Sequence, residues 1–183
     1  MALTPTKNIP LGFSAPDFKL LNPVTNKFQT LSELKSDKAT LVVFMCNHCP
    51  YVIHILDQLI SIANDYQDKG ISFIGINSND IISHPQDSPE NMKKLVREHA
   101  IPFPYLFDET QDIAKAYDAA CTPDFNIFDS NMKCVYRGQM DSSRPGNEKP
   151  INGSDIRNIL DQILNNESIS TNQVPSVGCN IKW

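Results

Sequence analysis

The chain has 183 residues, of which 40% are hydrophobic and 20% are charged, a composition typical of one globular domain with a sizeable core. Sixteen basic against 21 acidic side chains give a net charge of −5, and without any Lys/Arg cluster we expect no nucleic-acid partner and no membrane partner. The longest apolar run is only strand-sized and the first residues lack a secretory signal, so a cytoplasmic location is expected.

The first elements are a predicted hairpin and a single helical turn. Residues 18–21 and the region around Phe28 have strand-like patterns, and the turn residues Asn22 and Pro23 stand between them. Residues 30–35 follow as one helical turn. We therefore expect an N-terminal β-hairpin that extends the sheet of the main domain.

Two apolar runs with a helical segment between them form the centre of the chain. Thr40–Met45 is compact and rich in β-branched residues, which favours a buried strand. From Pro50 onwards apolar residues recur at helical spacing, and Gly70 ends this element. Ile71–Ile76 is a second apolar run, and it predicts a second buried strand.

In the second half of the chain, predicted helices and strands continue to alternate, and an antiparallel hairpin follows them. The predicted elements are a helix starting at Ser88-Pro89-Glu90, a strand at Tyr105–Phe107, a short helix at 113–117, a hairpin of Asp124–Asp129 with Lys133–Gly138, and a helix at 156–164. This order predicts an α/β fold in which a mixed central sheet has helices on both faces.

The chain is predicted to form a single domain over residues 1–183. Its last residues, 168–183, show no clear period and are expected to form an irregular tail. Ile181 and Trp183 are apolar, which indicates that the tail packs back on the domain.

The cysteines are too few and too scattered for a secreted disulfide scaffold. Their number is odd, and they stand at positions 46, 49, 121, 134 and 179. In a reducing compartment such a set indicates one reactive pair, Cys46 and Cys49, together with thiols that need separate explanations.

The pair Cys46 and Cys49 lies between a predicted buried strand and a predicted helix. A helix N-terminus offers unpaired N–H groups and the positive end of a dipole, which both favour a thiolate. We expect the pKa of Cys46 to be lowered there and Cys46 to be the attacking sulfur. Cys49 is one turn away and is expected to resolve the mixed disulfide.

His48, between the two cysteines, is the third predicted catalytic residue. An imidazole beside the thiolate can donate a hydrogen bond or carry a positive charge, which stabilises the reduced form. The pair is therefore expected to have a reduction potential above that of a typical cytosolic thioredoxin.

Five segments together resemble the thioredoxin superfamily. They are Gly12-Phe-Ser-Ala-Pro-Asp-Phe18, Phe44-Met-Cys-Asn-His-Cys-Pro-Tyr51, Cys121-Thr-Pro123, Ser142-Ser-Arg-Pro-Gly-Asn147 and Gly178-Cys-Asn-Ile-Lys-Trp183. The similarity is to the branch related to alkyl hydroperoxide reductase and thiol-specific antioxidant (redoxin) proteins. Within it, the chain resembles peroxiredoxin-like proteins that carry a thioredoxin-type cysteine pair.

The resemblance implies a thioredoxin-like fold, a redox-active disulfide and a cis-proline at Pro123 that faces the cysteines. A cis bond there would expose the backbone of Thr122, where an extended substrate segment can pair with it. Thr122 and Pro123 are thus the expected substrate-binding residues. Cys121 is expected close to the same surface, as an accessory thiol.

Departures from the family patterns weaken two activities. If Cys49 corresponds to the peroxidatic cysteine, the usual proline and threonine are replaced by Val42 and Cys46, and no arginine stands around Cys121–Phe125. Peroxide oxygens would then lack their polarising donors, so peroxidase activity is expected to be weak. The buried acid of thioredoxins is replaced by Thr40, which leaves the proton shuttle to His48 or a water.

The leading prediction is a thiol–disulfide oxidoreductase without cofactor or metal. It would act on a protein or small-molecule disulfide or thiol, with an unidentified electron donor. One alternative is a weak thiol peroxidase with Cys49 as the peroxidatic cysteine. The other is a copper-binding or other metal-binding chaperone without turnover, in which His84 or His54 would join the cysteines; a structural zinc site ranks below redox chemistry because a second ligand pair is missing.

Overall fold

A computed structural model describes residues 3–183 of the chain. In this part the elements are β1 (Leu3–Pro5), β2 (Lys19–Asn22), β3 (Lys27–Thr30), α1 (Leu31–Leu34), β4 (Ala39–Phe44), α2 (Pro50–Tyr66), β5 (Ile71–Asn77), α3 (Pro89–Glu98), β6 (Tyr105–Phe107), α4 (Asp112–Ala116), β7 (Cys121–Thr122), β8 (Asp124–Asp129), β9 (Cys134–Gly138), α5 (Ser154–Leu164) and β10 (Val177–Asn180).

Seven of these strands form one mixed sheet in the order β3-β2-β6-β5-β4-β8-β9. The three central strands β4, β5 and β6 run parallel, and β2, β3, β8 and β9 join antiparallel. In the middle of the sheet Leu41 pairs with Phe73 on one side and with Ile127 on the other. The predicted α/β fold with a mixed central sheet and an N-terminal β-hairpin is confirmed.

Helices cover both faces of the seven-stranded sheet. Successive residues of a strand point to opposite faces, so β4, which is buried along its entire length, contributes to two cores. Leu41 and Val43 pack with apolar side chains of α2, α3 and α5. Val42 and Phe44 pack with those of α1 and α4 on the other face.

Local signals in the sequence explain where the helices begin and end. The hydroxyl of Thr30 and the carboxylate of Glu33 form a reciprocal cap on α1, and the Ser88 hydroxyl accepts a hydrogen bond from the first turn of α3. Gly70 has a φ of +89° and ends the segment that follows α2. Among the described residues no helix is both long enough and apolar enough to cross a bilayer.

The expectation of an irregular tail is wrong for Val177–Asn180, which forms the central strand of a second sheet. This small sheet has the order β1-β10-β7, with Cys179 of β10 opposite Leu3 on one side and Thr122 on the other. The backbones approach closely at Gly178, where a Cβ atom would lie 1.9 Å from the carbonyl oxygen of Thr122. The strand is set by contacts with distant segments, so the sequence of the tail gives no period.

Side-chain contacts hold the tail against the domain at both ends of β10. The Ser176 hydroxyl donates to the carbonyl oxygen of Pro123 at 2.7 Å. Beyond the strand, Ile181 is 1% exposed, and the backbone N–H of Lys182 donates to Oδ1 of Asn79 at 2.8 Å. Ser176 and Lys182 thus anchor the tail from either side of β10.

Candidate active site

Cys46 and Cys49 lie between the end of β4 and the start of α2, and both are buried. Cys49 is the residue immediately before the helix, and its carbonyl oxygen accepts the backbone N–H groups of Val52 and Ile53 at 3.0 and 2.9 Å. Pro50 fills the first helical position, where no ladder hydrogen bond is lost. The cysteine at the helix N-terminus is therefore Cys49, and Cys46 lies three residues before it, outside the helix.

The Thr122–Pro123 segment faces both sulfur atoms, and its peptide bond is cis. The Sγ atom of Cys46 lies 3.5 Å from Oγ1 of Thr122. The Cys49 thiol donates to the carbonyl oxygen of Thr122 at 3.2 Å. The fold thus brings together the predicted cysteine pair and the predicted substrate-binding residues.

The environment of Cys49 favours its thiolate. The pKa of Cys49 is lowered, first because the Cys46 thiol donates to it, while burial acts in the opposite direction. The thiol of Cys179, the side chain of Thr122 and the backbone N–H of Cys179 lower it further. When Cys49 is neutral, its thiol donates to the Thr122 carbonyl oxygen. When Cys49 is a thiolate, it has no proton to donate, and the thiols of Cys46 and Cys179 and the side chain of Thr122 stabilise its charge.

The expected lowering of the pKa of Cys46 is wrong. Its pKa is raised, first by the hydrogen bond to Cys49, then by burial and by the negative charge of Asp87. In addition, α2 begins only after Cys49, so the positive end of its dipole lies at the second cysteine and favours a thiolate there. Both shifts favour a thiolate on Cys49 over one on Cys46.

His48 is held by a buried carboxylate that the sequence analysis did not single out. Nδ1 of His48 lies 2.7 Å from Oδ2 of Asp87, which is fully buried. Asp87 also accepts the backbone N–H of Asn47 and the side-chain amide of Asn79, both at 2.8 Å. This network fixes the ring of His48 next to Cys46.

Asp87 stands in the polar loop between β5 and α3, and only a weak signal marks it. Asn77 ends β5 and donates to the backbone carbonyl of Asp87 at 2.8 Å, while Asn79 binds its carboxylate. The sequence shows only that these amide side chains follow a buried strand, and it does not identify Asp87 as the residue that they bind.

One group of side chains has the composition of a metal site. Ligand atoms of Cys46, His48 and Asp87 lie within 4.8 Å of one another. Of the two histidines considered as metal ligands, His84 stacks on His48 at a centroid distance of 5.2 Å, and His54 binds the hydroxyl of Ser143 at 2.8 Å. Both carboxylate oxygens of Asp87 already accept hydrogen bonds. The group is therefore consistent with a carboxylate that orients His48 and also with a metal site.

The remaining cysteines are buried at three different places. Cys121 lies on β7, where its thiol is 3.9 Å from Oγ1 of Thr6 and donates to the Pro123 carbonyl at 3.6 Å. Cys134 lies on β9, and its thiol donates to the Tyr136 carbonyl. Cys179, for which the sequence indicates no role, is the thiol that hydrogen-bonds to Cys49.

A shallow cleft runs beside the cis-proline, between the start of α2, the loop after β9 and the tail. Among the residues that line it are Tyr51, His54, Pro123, Arg144 and Val177. Arg144 is fixed by its own hydrogen bonds, since its guanidinium donates to Oε1 of the Gln139 side chain at 2.6 Å.

Solved bacterial structures are similar to this chain over nearly its entire length. An uncharacterized conserved protein from Geobacillus kaustophilus is 54% identical, with a TM-score of 0.98, over 100% of this chain and 97% of that chain. A hypothetical protein from Sinorhizobium meliloti is 43% identical, with a TM-score of 0.96, over 98% of each chain.

A more distant structure identifies the type of fold. The thioredoxin domain of a thiol-disulfide oxidoreductase from Bacteroides vulgatus is 18% identical, with a TM-score of 0.64, over 84% of this chain and 99% of that chain. The fold is therefore thioredoxin-like, in agreement with the resemblance seen in the sequence motifs.

The family is given by the sequence between the N-terminal segment and β9. No curated protein matches the chain in sequence. The AhpC/TSA family model matches residues 11–137, a range that holds the cysteine pair and the cis-proline and ends before the tail. Since this match spans more than half of the chain, the protein belongs to the AhpC/TSA family.

Proposed function

We propose that this protein is a thiol–disulfide oxidoreductase in which Cys46 and Cys49 alternate between a dithiol and a disulfide. The observation that carries the proposal is the contact between the two sulfurs, with the negative charge on Cys49 and a cis-proline strand beside both. A lowered thiol pKa next to a second thiol is the arrangement that disulfide exchange requires.

The first step of substrate reduction uses the Cys49 thiolate. Cys49 attacks one sulfur of a substrate disulfide, the substrate S–S bond breaks, and its other sulfur leaves as a thiolate. The product is a mixed disulfide between Cys49 and the substrate. This assignment exchanges the roles expected from the sequence, because the helix N-terminus and its donors act on Cys49 and not on Cys46.

The second step uses the Cys46 thiol and the pair of His48 and Asp87. His48 accepts the proton of Cys46, and the Asp87 carboxylate orients the ring and stabilises its positive charge. The Cys46 sulfur then attacks Cys49, the mixed disulfide breaks, and the second substrate sulfur leaves. Two electrons have passed from the pair to the substrate, and the pair is a disulfide.

The substrate is a protein or small-molecule disulfide, and a separate electron donor returns the pair to the dithiol. Substrate docking is assigned to Thr122 and Pro123 together with the cleft beside them. We place the cycle in a reducing compartment, the cytoplasm, because the odd and scattered cysteines do not form a secreted disulfide framework.

Reduction of insulin disulfides in the presence of dithiothreitol tests the proposal. We expect Cys49→Ser to lower the rate at least about 100-fold, because it removes the thiolate. Cys46→Ser combined with Cys179→Ser leaves Cys49 without a neighbouring thiol, so the enzyme–substrate mixed disulfide is expected to accumulate. Cys134→Ser serves as the control, because its thiol lies on β9 away from the pair. Wild-type turnover by Cys49→Ser contradicts the proposal.

The role of His48 has a separate readout. The donors around the Cys49 thiolate stabilise the reduced state, so the potential of the pair should lie above the thioredoxin value of about −270 mV. Equilibration in glutathione buffers measures it, and His48→Ala should lower it. An unchanged reduction potential in His48→Ala would show that His48 does not raise the potential of the pair.

A weak thiol peroxidase is the second candidate, favoured by the position of Cys49 at the helix N-terminus. The first two arginines after the cis-proline segment are engaged elsewhere: Arg137 donates to Oδ1 of Asn126 at 2.8 Å, and Arg144 donates to Oε1 of Gln139. Neither of these guanidinium groups is free to stabilise peroxide oxygens at the Cys49 sulfur, so slow peroxide consumption is expected. A peroxide-consumption rate above the disulfide-reduction rate would reverse the order of the two candidates.

The group Cys46, His48 and Asp87 supports a third candidate, a metal-binding chaperone. Metal analysis of the purified protein separates it from the redox function. If the protein binds one equivalent of metal and its thiols do not exchange with disulfides, the metal-binding chaperone becomes the assigned function instead of the oxidoreductase.

A further inference from the structure

The tail places a third sulfur directly at the cysteine pair. In the small sheet Cys179 is opposite Thr122, whose carbonyl oxygen lies 3.2 Å from Sγ of Cys49. The thiol of Cys179 hydrogen-bonds to Cys49, and its backbone N–H points to the same sulfur. Cys49 therefore has a thiol partner on either side, Cys46 on its own segment and Cys179 on the tail.

Close contacts hold Cys179 in this position. Gly178 lies so near the Thr122 backbone that a Cβ atom would be 1.9 Å from the carbonyl oxygen. Ser176 before the strand and Lys182 after it are tied to Pro123 and Asn79. Asn79 also binds the carboxylate of Asp87, so the tail and the partner of His48 share one network.

The edge of β7 that β10 covers is the one that the proposed function assigns to substrate. An extended substrate would pair with Thr122 and bring its sulfur to Cys49. In this structure β10 pairs there, and the sulfur that it brings belongs to Cys179. Cys179 of the tail thus makes the contact with Cys49 that a sulfur of a disulfide substrate would make.

We propose that Cys179 is a third redox-active thiol, which exchanges with the Cys46–Cys49 disulfide to give a Cys49–Cys179 disulfide. The Cys179 sulfur attacks Cys49, the bond between Cys46 and Cys49 breaks, and the proton of Cys179 ends on Cys46. The number of disulfides and the oxidation state of the protein do not change. This inference rests on the proposed function, because it starts from the oxidised pair.

The charges at the site favour this exchange only after the pair is oxidised. In the dithiol state the pKa of the Cys179 thiol is raised by burial, by its hydrogen bond to Cys49 and by the Cys49 charge. The last two causes vanish when Cys49 is part of a disulfide, whereas Lys182 continues to lower the pKa. Cys179 is therefore deprotonated more easily in the state in which it has a disulfide to attack.

Oxidation of the full-length Cys46→Ser variant with diamide tests the contact of the two remaining sulfurs. Diamide takes up two electrons and two protons, so it can close one disulfide per molecule. We expect peptide mapping under non-reducing conditions to find Cys49–Cys179 in more than half of the molecules. The matched control is Cys46→Ser with Cys121→Ser, which removes the neighbouring thiol of the small sheet and should give the same bridge.

Gly178→Ala in the Cys46→Ser background tests the position of the tail with every remaining thiol retained. The added methyl group cannot fit against Thr122, so β10 moves and the bridge should form at least about tenfold more slowly. The same substitution in the otherwise wild-type chain should leave Cys46–Cys49 closure intact, which shows that the domain is folded. An equal rate of bridging with and without Gly178→Ala contradicts the assigned position.

The outcomes separate this inference from the proposed function. If the wild-type pair closes and reduces insulin but Cys46→Ser yields no Cys49–Cys179 bridge, or a bridge to Cys121, the third-thiol assignment fails and the oxidoreductase stands. If Cys49–Cys179 forms but the wild-type pair shows no disulfide reduction, the assignment stands as a thiol contact and the oxidoreductase function fails.

Discussion

The two sheets of this protein are held together in different ways. The seven-stranded sheet is buried between helices, and Leu41, Val42 and Val43 in its central strand are completely buried. The three-stranded sheet has strands of two to four residues, and it is formed by both ends of the described chain with the cis-proline segment. Its main contacts are between backbones, as at Gly178.

The cysteine pair lies where these two sheets meet. Cys46 and Cys49 follow β4 of the large sheet, which fixes their backbone, whereas Thr122 and Cys179 of the small sheet contact their sulfurs. The large sheet therefore positions the backbone of the cysteine pair, and the small sheet contributes hydrogen-bond donors and a third sulfur next to Cys49. A region with few buried apolar contacts opens more easily than a packed core, so access to the pair should depend on the small sheet.

The largest effect is expected from a cavity in the large sheet. Leu41→Ala truncates a completely buried side chain of β4 that packs against the helices on one face of the sheet, and it leaves a cavity there. We expect the free energy of unfolding to fall by about 2–5 kcal/mol. Guanidinium denaturation followed by circular dichroism measures it, and a loss below about 1 kcal/mol would show that this core can collapse around the cavity.

Most of the large sheet was predictable because its signals are local. Thr40–Met45 and Ile71–Ile76 are apolar runs of strand length, and they differ from the observed β4 and β5 by one residue at their ends. The helices follow from periodic apolar positions and from start signals such as Ser88. Each of these patterns lies within one short segment, and burial against the rest of the domain reinforces it.

The small sheet and half of the active-site network were not predictable, because their partners are far apart in sequence. The contact of Thr122 with Cys179 joins positions 57 residues apart, and that of His48 with Asp87 joins positions 39 apart. Neither Asp87 nor Cys179 stands in a periodic or apolar pattern. The cysteine spacing predicted the pair, but the charge on Cys49 depends on where α2 begins and on these distant donors.

A substitution of the same kind in the tail should break the small sheet instead of the whole fold. Ile181 is 1% exposed, and Ile181→Ala removes its contacts with the core that Val42 and Phe44 form on their face of the large sheet. The loss cannot exceed the free energy with which the tail docks, because the molecule can release the tail and keep the large sheet. We therefore expect about 1–3 kcal/mol, less than for Leu41→Ala.

Hydrogen exchange shows where the effect of Ile181→Ala lies. Backbone amides of β10 should exchange faster, and Cys49 should react faster with iodoacetamide, while the amides of β4 and β5 keep their protection. Uniform acceleration in both sheets would mean that the tail and the large sheet unfold as one unit, which would remove the distinction between them.

The charge on Cys49 predicts a pH dependence of the reduced protein. Because its pKa is lower in the folded chain than the value of about 8.5 for an unfolded thiol, its contribution is complete above that pH and is lost as the pH falls. The free energy of unfolding should therefore rise between pH 6.5 and 8, by up to about 1.4 kcal/mol per unit. In the folded chain the raised pKa values of Cys46, Cys121, Cys134 and Cys179 keep these thiols protonated, whereas in the unfolded chain they begin to ionise near pH 8, so they reduce this slope towards the upper end of the range.

Comparison with Cys49→Ser isolates this contribution. The pKa of the buried Asp124 carboxyl is raised to about 6 by burial, so below that pH it makes stability fall with rising pH and would obscure the effect. Between pH 6.5 and 8 the wild-type slope, measured with a phosphine reductant, should exceed that of Cys49→Ser. Equal slopes would place the charge elsewhere than on Cys49.

The smallest effect is expected at the edge of the small sheet, where Lys7 forms an ion pair with Asp118. Both side chains are largely exposed, at 57% and 40%, so water screens the attraction and ordering the lysine costs entropy. We expect Lys7→Ala to change the free energy of unfolding by less than about 1 kcal/mol, and 1 M salt to leave the wild-type protein nearly unaffected. A larger loss that high salt reproduces in the wild type would show that charge, and not backbone pairing and the burial of Ile181, holds the small sheet in place.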